Sequence, residues 1–314
     1  MPSTRWPIWP MARRAACYLV CNDPVTQQDR WEMDPGYSPF TLAAEIAALL
    51  AAADRADLAT EARMAAYLRE TADAWNTSIE RWTYVTDTDL DHQFGIEGHY
   101  VRLAPPEKAE AAFPQQGSVP IKCRPPEQHV GPAASIVGPD ALVLVRFGLR
   151  APDDPHILNT VQAIDTLLKV ETPYGPVWRR YSDDLYGEHQ DGAPFDGTGI
   201  GRAWPLLTGE WAHYELVAGK RDVAERLLQT MEALANAGGI IPEQSLGRAR
   251  YSRARTVLWQ TFWFEHASGA GARRIHQAAA FPARQLVTAH NTPTSRSPRD
   301  AEPERHGHPP SAGG

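Results

Sequence analysis

The stretch that decides the fold is "SPFTLAAEIAALLAAADRADLATEARMAAYLRETADAWNTSIERW", residues 38–82. It begins with the helix-start residues Ser38 and Pro39 and continues through strong helix formers such as alanine, leucine and glutamate. Two apolar series recur at helical spacing and predict one buried face on each of two helices. They are Ile46, Leu49, Leu50 and Ala53, then Ala62, Ala65, Ala66 and Leu68. Residues 54–57 form the predicted join, so the two helices are expected to be an antiparallel pair.

The rest of the chain repeats this helical pattern. Residues 140–147 and 155–169 predict helices, and residues 206–239 predict two more with a stop at Gly219. Long segments rich in Gly, Pro, Asp and aromatic residues lie between them, at 24–39, 84–131, 171–204 and from 238 onward. Loops this long are usually functional or disordered, and their aromatic content argues against disorder. The sequence therefore predicts an all-α domain, a helical toroid with its active site on one rim.

Composition sets limits on partners and compartment. The net charge of −7 argues against nucleic acid as a partner. No run of about 18 apolar residues occurs, so no membrane-spanning helix is expected. The first twenty residues do not resemble a signal peptide, which leaves the compartment open, with the cytoplasm as the default. Three cysteines imply no disulfide framework, and Cys17 and Cys21, one helical turn apart, are expected to be packed helix residues.

Two glutamates are the candidate catalytic residues. Glu32 follows a tryptophan in the loop "TQQDRWEMDPGYS", residues 26–38, and Glu243 follows a double-glycine helix stop in "GGIIPEQ", residues 238–244. Both occupy loops that reach the same rim if the helices form a ring. Glycoside hydrolysis needs two carboxylates, which in an inverting enzyme stand roughly 6.5–9.5 Å apart. The alternative is that each is a solvated loop glutamate.

A third loop, residues 172–210, is dense in Trp, Tyr, Arg and Asp, which suits a ligand rich in hydroxyl groups. Its "GTGIGRAW" at 197–204 follows no predicted strand, so a dinucleotide site is rejected. Asp183, Asp184 and Asp191 lack calcium-loop spacing and are expected to be solvated acids. Zinc-ligand spacing and a serine nucleophile elbow are also missing from the sequence. We therefore predict no metal and no cofactor.

Five strings, in this order, resemble the bacterial glucoamylases of glycoside hydrolase family 15. They are "QQDRWE" at 27–32, "GYSPFTLA" at 36–43, "KVETPYGPVWRRYSDD" at 169–184, "DGAPFDGTGIGRAWPLLTGE" at 191–210, and "GGIIPEQ". The likeness covers roughly residues 11–244. It implies an (α/α)6 barrel of six helical hairpins that hydrolyses terminal α-1,4-linked glucose, with inversion, from the non-reducing ends of malto-oligosaccharides or starch. Some family members act on dextran or trehalose instead.

The resemblance also implies residue roles. Glu32 matches the general acid and Glu243 the general base. The substrate-binding positions that it implies are Asp29, Trp31, Arg180, Tyr181 and Trp204. Met33 stands where the family has a second glutamate, and this change is expected to weaken binding of the sugar beyond the cleaved bond.

The resemblance stops at residue 244, where the composition also changes. Residues 245–314 hold ten Arg, no Lys and four acidic residues. We interpret residues 1–244 as a partial catalytic domain and residues 245–314 as out-of-frame translation or a disordered basic tail. An incomplete barrel is expected to hydrolyse little substrate by itself. The alternative is an inactive fragment that serves as a helical carbohydrate-binding or interaction module.

Overall fold

The structure is a computed structural model that describes residues 8–245 of the 314-residue chain. Within that range, helices dominate. Their bounds are α1 Ile8–Asn22, α2 Pro39–Leu58, α3 Ala62–Asn76, α4 Ile79–Thr83, α5 Asp89–Phe94, α6 Pro106–Glu110, α7 Leu142–Arg146, α8 Pro155–Leu168, α9 Pro205–Val217 and α10 Arg221–Leu234. The predicted tail lies outside the described residues, except for Ser245. Across the described range, no helix is long and apolar enough to cross a membrane.

Three short antiparallel hairpins decorate the helices, and the sequence did not predict them. Their strands are β1 Tyr84–Thr86, β2 Gly98–Tyr100, β3 Ser118–Pro120, β4 Val130–Pro132, β5 Lys169–Thr172 and β6 Gly175–Trp178. Strand β1 pairs with β2, β3 with β4, and β5 with β6. Strands of three or four residues are too short to show a clear alternating pattern, and they lie inside segments that the sequence reads as loops.

Helices α2 and α3 form the predicted pair, but the join lies elsewhere. Helix α2 begins at Pro39 as expected and continues through residues 54–57 to Leu58. The chain turns at residues 59–61, where Thr60 has a φ of 62°. The acids at 54 and 57 remain helical because they face outward, where Arg69 of α3 donates hydrogen bonds to both carboxylates.

The buried faces of this pair follow the predicted period on α2 and depart from it on α3. Ile46, Leu49 and Ala53 are buried in the main core, and Leu50 is half-buried. On α3, Ala62 and Ala66 are exposed, and the buried residues are Ala65, Leu68, Ala72 and Trp75. Alanine occurs in both buried and exposed positions, so the alanines of α3 do not show which face of the helix is buried. The larger side chains of Leu68 and Trp75 show it.

Helix α1 is also present, but its cysteines are not packed. Cys17 and Cys21 are both exposed, which contradicts the prediction for them. Only Ala16 of this helix is fully buried. Spacing of one turn placed the two thiols on the same face correctly, but it did not reveal that this face points to solvent.

Helices α9 and α10 form a second antiparallel pair, separated by Gly219 at a φ of 78°. Trp211 of α9 stacks on Trp178 at the end of β6, with ring centroids 4.4 Å apart. The indole of Trp178 also donates a hydrogen bond to Asp165 of α8, at 2.9 Å. These contacts fix the end of β6, which lies inside the third predicted loop.

Substitution of one leucine on α2 tests the packing. Leu49→Ala removes a side chain that is 0% exposed, and we expect it to lower the free energy of unfolding by about 2–5 kcal/mol. Leu58→Ala, on the same helix at a position 77% exposed, is the matched control and should change it by no more than about 0.5 kcal/mol. Urea unfolding measures both, and equal losses would contradict the placement of α2.

Candidate active site

The loop that carries Glu32 is closed at its base by backbone hydrogen bonds. Thr26 and Gly36 pair at 3.0 and 3.1 Å, and Tyr37 continues the pairing onto Ala104. We call residues 26–36 the acid loop. At its tip Glu32 is exposed and has a φ of 58°, a left-handed conformation that non-glycine residues adopt at a cost of about 1–3 kcal/mol.

Asp29 holds the tip of the acid loop in this conformation. Its backbone carbonyl accepts a hydrogen bond from the Glu32 amide at 2.9 Å. Its carboxylate Oδ1 accepts from the amides of Trp31 and Met33, both at 3.1 Å. The Asp29 side chain is 1% exposed. It therefore supports the loop from inside, in contrast to the substrate contact that the resemblance implies.

Arg180 lies at the centre of the candidate site. Its Nε and Nη2 donate to the two carboxylate oxygens of Asp184, at 2.7 and 2.8 Å. Aromatic rings surround the guanidinium, with centroids 4.6–5.4 Å from Cζ. They belong to Trp31, Tyr181, Tyr186 and Trp204, and we call these four rings the aromatic cage of Arg180. Asp184 is buried, which contradicts its prediction as a solvated loop acid: a buried guanidinium requires a paired carboxylate.

Two tryptophans from distant loops meet beside this arginine. Trp31 of the acid loop and Trp204, just before α9, contact edge to face at 5.2 Å. Their indole nitrogens are both buried, and neither has a hydrogen-bond partner among the described residues. A buried donor without a partner is unfavourable, and the site contains two of them side by side.

Glu243, near the other end of the described chain, lies within electrostatic range of the same arginine. Ser245 anchors its segment, because the Ser245 amide donates to the carbonyl of Ala203 at 2.8 Å, directly before Trp204. Burial raises the pKa of Glu243, and the positive charge of Arg180 partly opposes that rise. Glu243 is thus close enough to Arg180 for the two charges to interact.

Tyr181, like Asp29, lies beneath the site. Its side chain is fully buried in a small cluster with Leu103, Val119, Ile121, Ala133 and Ile136. The Tyr181 hydroxyl donates to the Met33 sulfur at 3.1 Å. The resemblance implies a substrate-binding role for Tyr181, and a direct contact with sugar does not fit a side chain that is 0% exposed. Met33 is likewise turned toward this cluster.

Several charged residues of the site were missed from the sequence. Arg30 pairs with Glu210 of α9 through two hydrogen bonds and stacks on Trp31 at 4.6 Å. Arg102 pairs with Asp29. Neither pair has a local sequence signal, because the partners are 180 and 73 residues apart. Among the described residues, no group of three or more His, Cys, Asp or Glu side chains is arranged to hold a metal ion.

Asp140 was also missed, and it lies fully buried within electrostatic reach of Arg30 and Arg102. Burial raises its pKa to about 7, although the two guanidinium groups lower it. Its Oδ2 atom has no hydrogen-bond partner. A Cβ atom on Gly138 would lie 2.4 Å from this oxygen, so glycine is required there for steric reasons.

Comparisons with known proteins identify the family of the chain. The sequence profile described as Glycosyl hydrolases family 15 matches residues 5–264. A glucoamylase of Clostridium sp. (strain G0005) is 40% identical over 234 residues, which are 74% of this chain and 32% of that protein. The crystal structure of a bacterial glucoamylase complexed with acarbose matches with a TM-score of 0.68 at 38% identity, over 76% of this chain and 33% of that one.

A more distant structure, described as a glycosidase, matches with a TM-score of 0.50 at 20% identity. It covers 76% of this chain and 54% of its own, and it supports the fold alone. The chain spans about a third of the length of the two glucoamylases.

The raised pKa of Asp140 predicts a pH-dependent stability. Because this pKa is near 7 when folded and 3.8 in the reference state, the folded protein binds the extra proton between those values. Stability should therefore fall as pH rises from 3.8 to about 7, by at most about 1.4 kcal/mol per pH unit from this group. Asp140→Asn should remove that slope, measured as unfolding free energy against pH.

The control for this experiment is Asp73→Asn, which removes an exposed carboxylate on α3. The unfolding free energy of Asp73→Asn should fall with pH at the same slope as that of wild type. Parallel curves for wild type and Asp140→Asn would contradict a buried carboxyl that holds its proton near neutral pH.

Proposed function

Because this chain belongs to glycosyl hydrolase family 15, we propose that residues 8–245 supply the acid, the base and a glucose-binding cage of an inverting glucosidase site. The family match confirms the predicted resemblance, and the helix pairs are part of an (α/α)6 barrel. The activity itself is our proposal, since the chain spans only about a third of its relatives.

One observation carries the proposal: the convergence of segments on Arg180. Trp31 comes from the acid loop and Trp204 from the third loop, and both contact the guanidinium. Glu243 from the last described segment is in electrostatic contact with it. A guanidinium between aromatic rings offers both stacking faces and donors, which a terminal glucose with its ring of hydroxyl groups requires.

Specific atoms are available for the sugar hydroxyls. Asp184 occupies Nε and Nη2 of Arg180 and leaves Nη1 as a free donor among the described residues. The indole N–H groups of Trp31 and Trp204 are buried in this structure and have no partners, so they would become two further donors when the tryptophan side chains move to admit the sugar. With Arg180 Nη1, these donors come from the acid loop and the third loop, and together they would fix the orientation of one glucose ring.

The two glutamates then have distinct tasks. Glu32, exposed at the tip of the acid loop, would donate its proton to the glycosidic oxygen as the bond from C1 to that oxygen breaks. Glu243 would accept a proton from a water molecule as the water oxygen bonds to C1 from the opposite face. The product is glucose with inverted configuration, and the two carboxyl groups exchange protons with solvent to reset.

The proposed substrate class is malto-oligosaccharide or starch, in line with the two glucoamylase relatives. Trehalose and dextran ends are the alternatives within the family. The second candidate function, a carbohydrate-binding module without turnover, is favoured by the completeness of the aromatic cage around Arg180. Binding measured separately from hydrolysis distinguishes the two.

Replacing the acid separates binding from chemistry. We expect Glu32→Gln to lower the rate of β-glucose release from maltotriose by about 10²-fold or more, because glutamine cannot donate the proton. Its affinity for maltotriose in calorimetry should stay within about threefold of wild type, because Glu32 is not part of the cage. Glu70→Gln, an exposed glutamate on α3, is the matched control. Glucose release that survives Glu32→Gln would contradict the assignment.

Replacing the central arginine tests the cage. Arg180→Met keeps an unbranched side chain but removes the guanidinium donors and leaves Asp184 buried without its partner. We expect maltotriose binding to fall by at least about tenfold, since a charged hydrogen bond contributes about 1.5–3 kcal/mol. Circular dichroism checks the fold. If the folded variant binds maltotriose as tightly as wild type, the sugar does not bind at Arg180. Both proposed functions of this site would then be excluded.

A further inference from the structure

We propose that Arg102 is the positioning residue of the acid loop, which fixes the conformation in which Glu32 reaches the substrate. The inference rests on the proposed role of Glu32 as the acid. Arg102 makes no contact with the aromatic cage other than through Tyr181, and its side chain is 1% exposed. It therefore acts on the reaction only through other residues.

The guanidinium of Arg102 holds the loop on both sides of Glu32. Nε donates to Asp29 Oδ2 at 2.9 Å, and Nη2 donates to the same oxygen. Nη2 also contacts Asp34 Oδ2 at 3.2 Å. Asp29 precedes Glu32 by three residues and Asp34 follows it by two, so one buried cation ties together the two ends of the tip.

The carboxylate of Asp29 passes this constraint to the backbone around Glu32. Oδ2 is taken by Arg102, and Oδ1 accepts hydrogen bonds from the amides of Trp31 and Met33. The Met33 amide belongs to the peptide unit that follows Glu32, and the Trp31 amide belongs to the unit that precedes Trp31. The peptide unit between them donates from the Glu32 amide to the Asp29 carbonyl. Arg102 sets the rotation of the Asp29 carboxylate, and that rotation determines where the peptide unit before Trp31 and the peptide unit after Glu32 point.

Arg102 is itself held from beneath. Its guanidinium lies 4.1 Å from the ring centroid of Tyr181, whose hydroxyl contacts Met33. Its backbone amide donates to the carbonyl of Ile136 at 2.9 Å. Lys122 provides an outer tie at the surface, with a hydrogen bond to the Met33 carbonyl and an ion pair with Asp34. The tip is clamped from the core side and from the solvent side.

Such a clamp has a catalytic consequence because Glu32 is held in a left-handed conformation. A residue keeps that conformation only when its surroundings enforce it. Without Arg102, the buried carboxylates of Asp29 and Asp34 would lose their shared cation, and the tip would relax. A misplacement of about 1 Å in a catalytic group costs on the order of 10²-fold in rate.

The test compares two substrates that differ in their need for the acid. Maltotriose requires protonation of its leaving group, whereas α-glucosyl fluoride releases fluoride with far less need for a proton. In the full chain, we expect Arg102→Met to lower kcat for maltotriose by about 10²-fold and for α-glucosyl fluoride by less than about tenfold. KM should change little. Arg102→Lys should lie between, since it keeps the charge without the fork.

The matched control is Arg150→Met. Arg150 makes a comparable two-oxygen pair with Glu80, away from the acid loop. A general loss of stability would lower kcat for both substrates by the same factor, in Arg102→Met and in Arg150→Met alike. If Arg102→Met lowers maltotriose and glucosyl fluoride hydrolysis by the same factor, the positioning role is overturned.

A second readout does not depend on activity. A glutamate-specific protease applied under native conditions should cleave after Glu32 at least about tenfold faster in Arg102→Met than in wild type, and Arg150→Met should not accelerate it. Equal cleavage in all three proteins overturns the proposal. If wild type hydrolyses neither substrate, the proposed function fails while this cleavage ratio still decides whether Arg102 holds the loop.

Discussion

The burial of the Arg180 guanidinium is the constraint on which the site depends. A buried positive charge requires a carboxylate and favours aromatic faces, and Arg180 has both in Asp184 and the surrounding rings. Those rings come from the acid loop and from the segment before α9, and the Glu243 segment returns to the same place through Ser245. Segments more than 200 residues apart in sequence are thereby assembled around one side chain.

The helices make this assembly possible by fixing the points where the loops leave. Helix α2 follows the acid loop, and the pair of α9 and α10 separates the third loop from Glu243. Glu210 of α9 also reaches back to Arg30, beside Trp31. The loops therefore depend on the helices for position, and the buried ion pairs tie loop and helix together.

The sequence predicts the parts of this protein that have local signals. Helix α2 and the stop at Gly219 follow from propensity and glycine placement, and the loop strings identify the family. The sequence has no signal that separates a buried supporting residue from one that contacts substrate. Asp29 and Tyr181 lie in the strings that identify the family, yet both side chains are buried. Arg102 could only be found in three dimensions, because its partners lie about 70 residues away. The boundary at residue 244 stays a prediction.

The most direct test of the account is the distance between the two catalytic carboxyl groups in a crystal of the full chain with maltotriose bound, prepared as Glu32→Gln to prevent turnover. The account predicts a glucose ring against Trp31 and Arg180 and a separation of roughly 6.5–9.5 Å between the side-chain carboxamide at 32 and the carboxylate of Glu243, which leaves room for one water. A separation near 5 Å, or a sugar bound elsewhere on the chain, would contradict it.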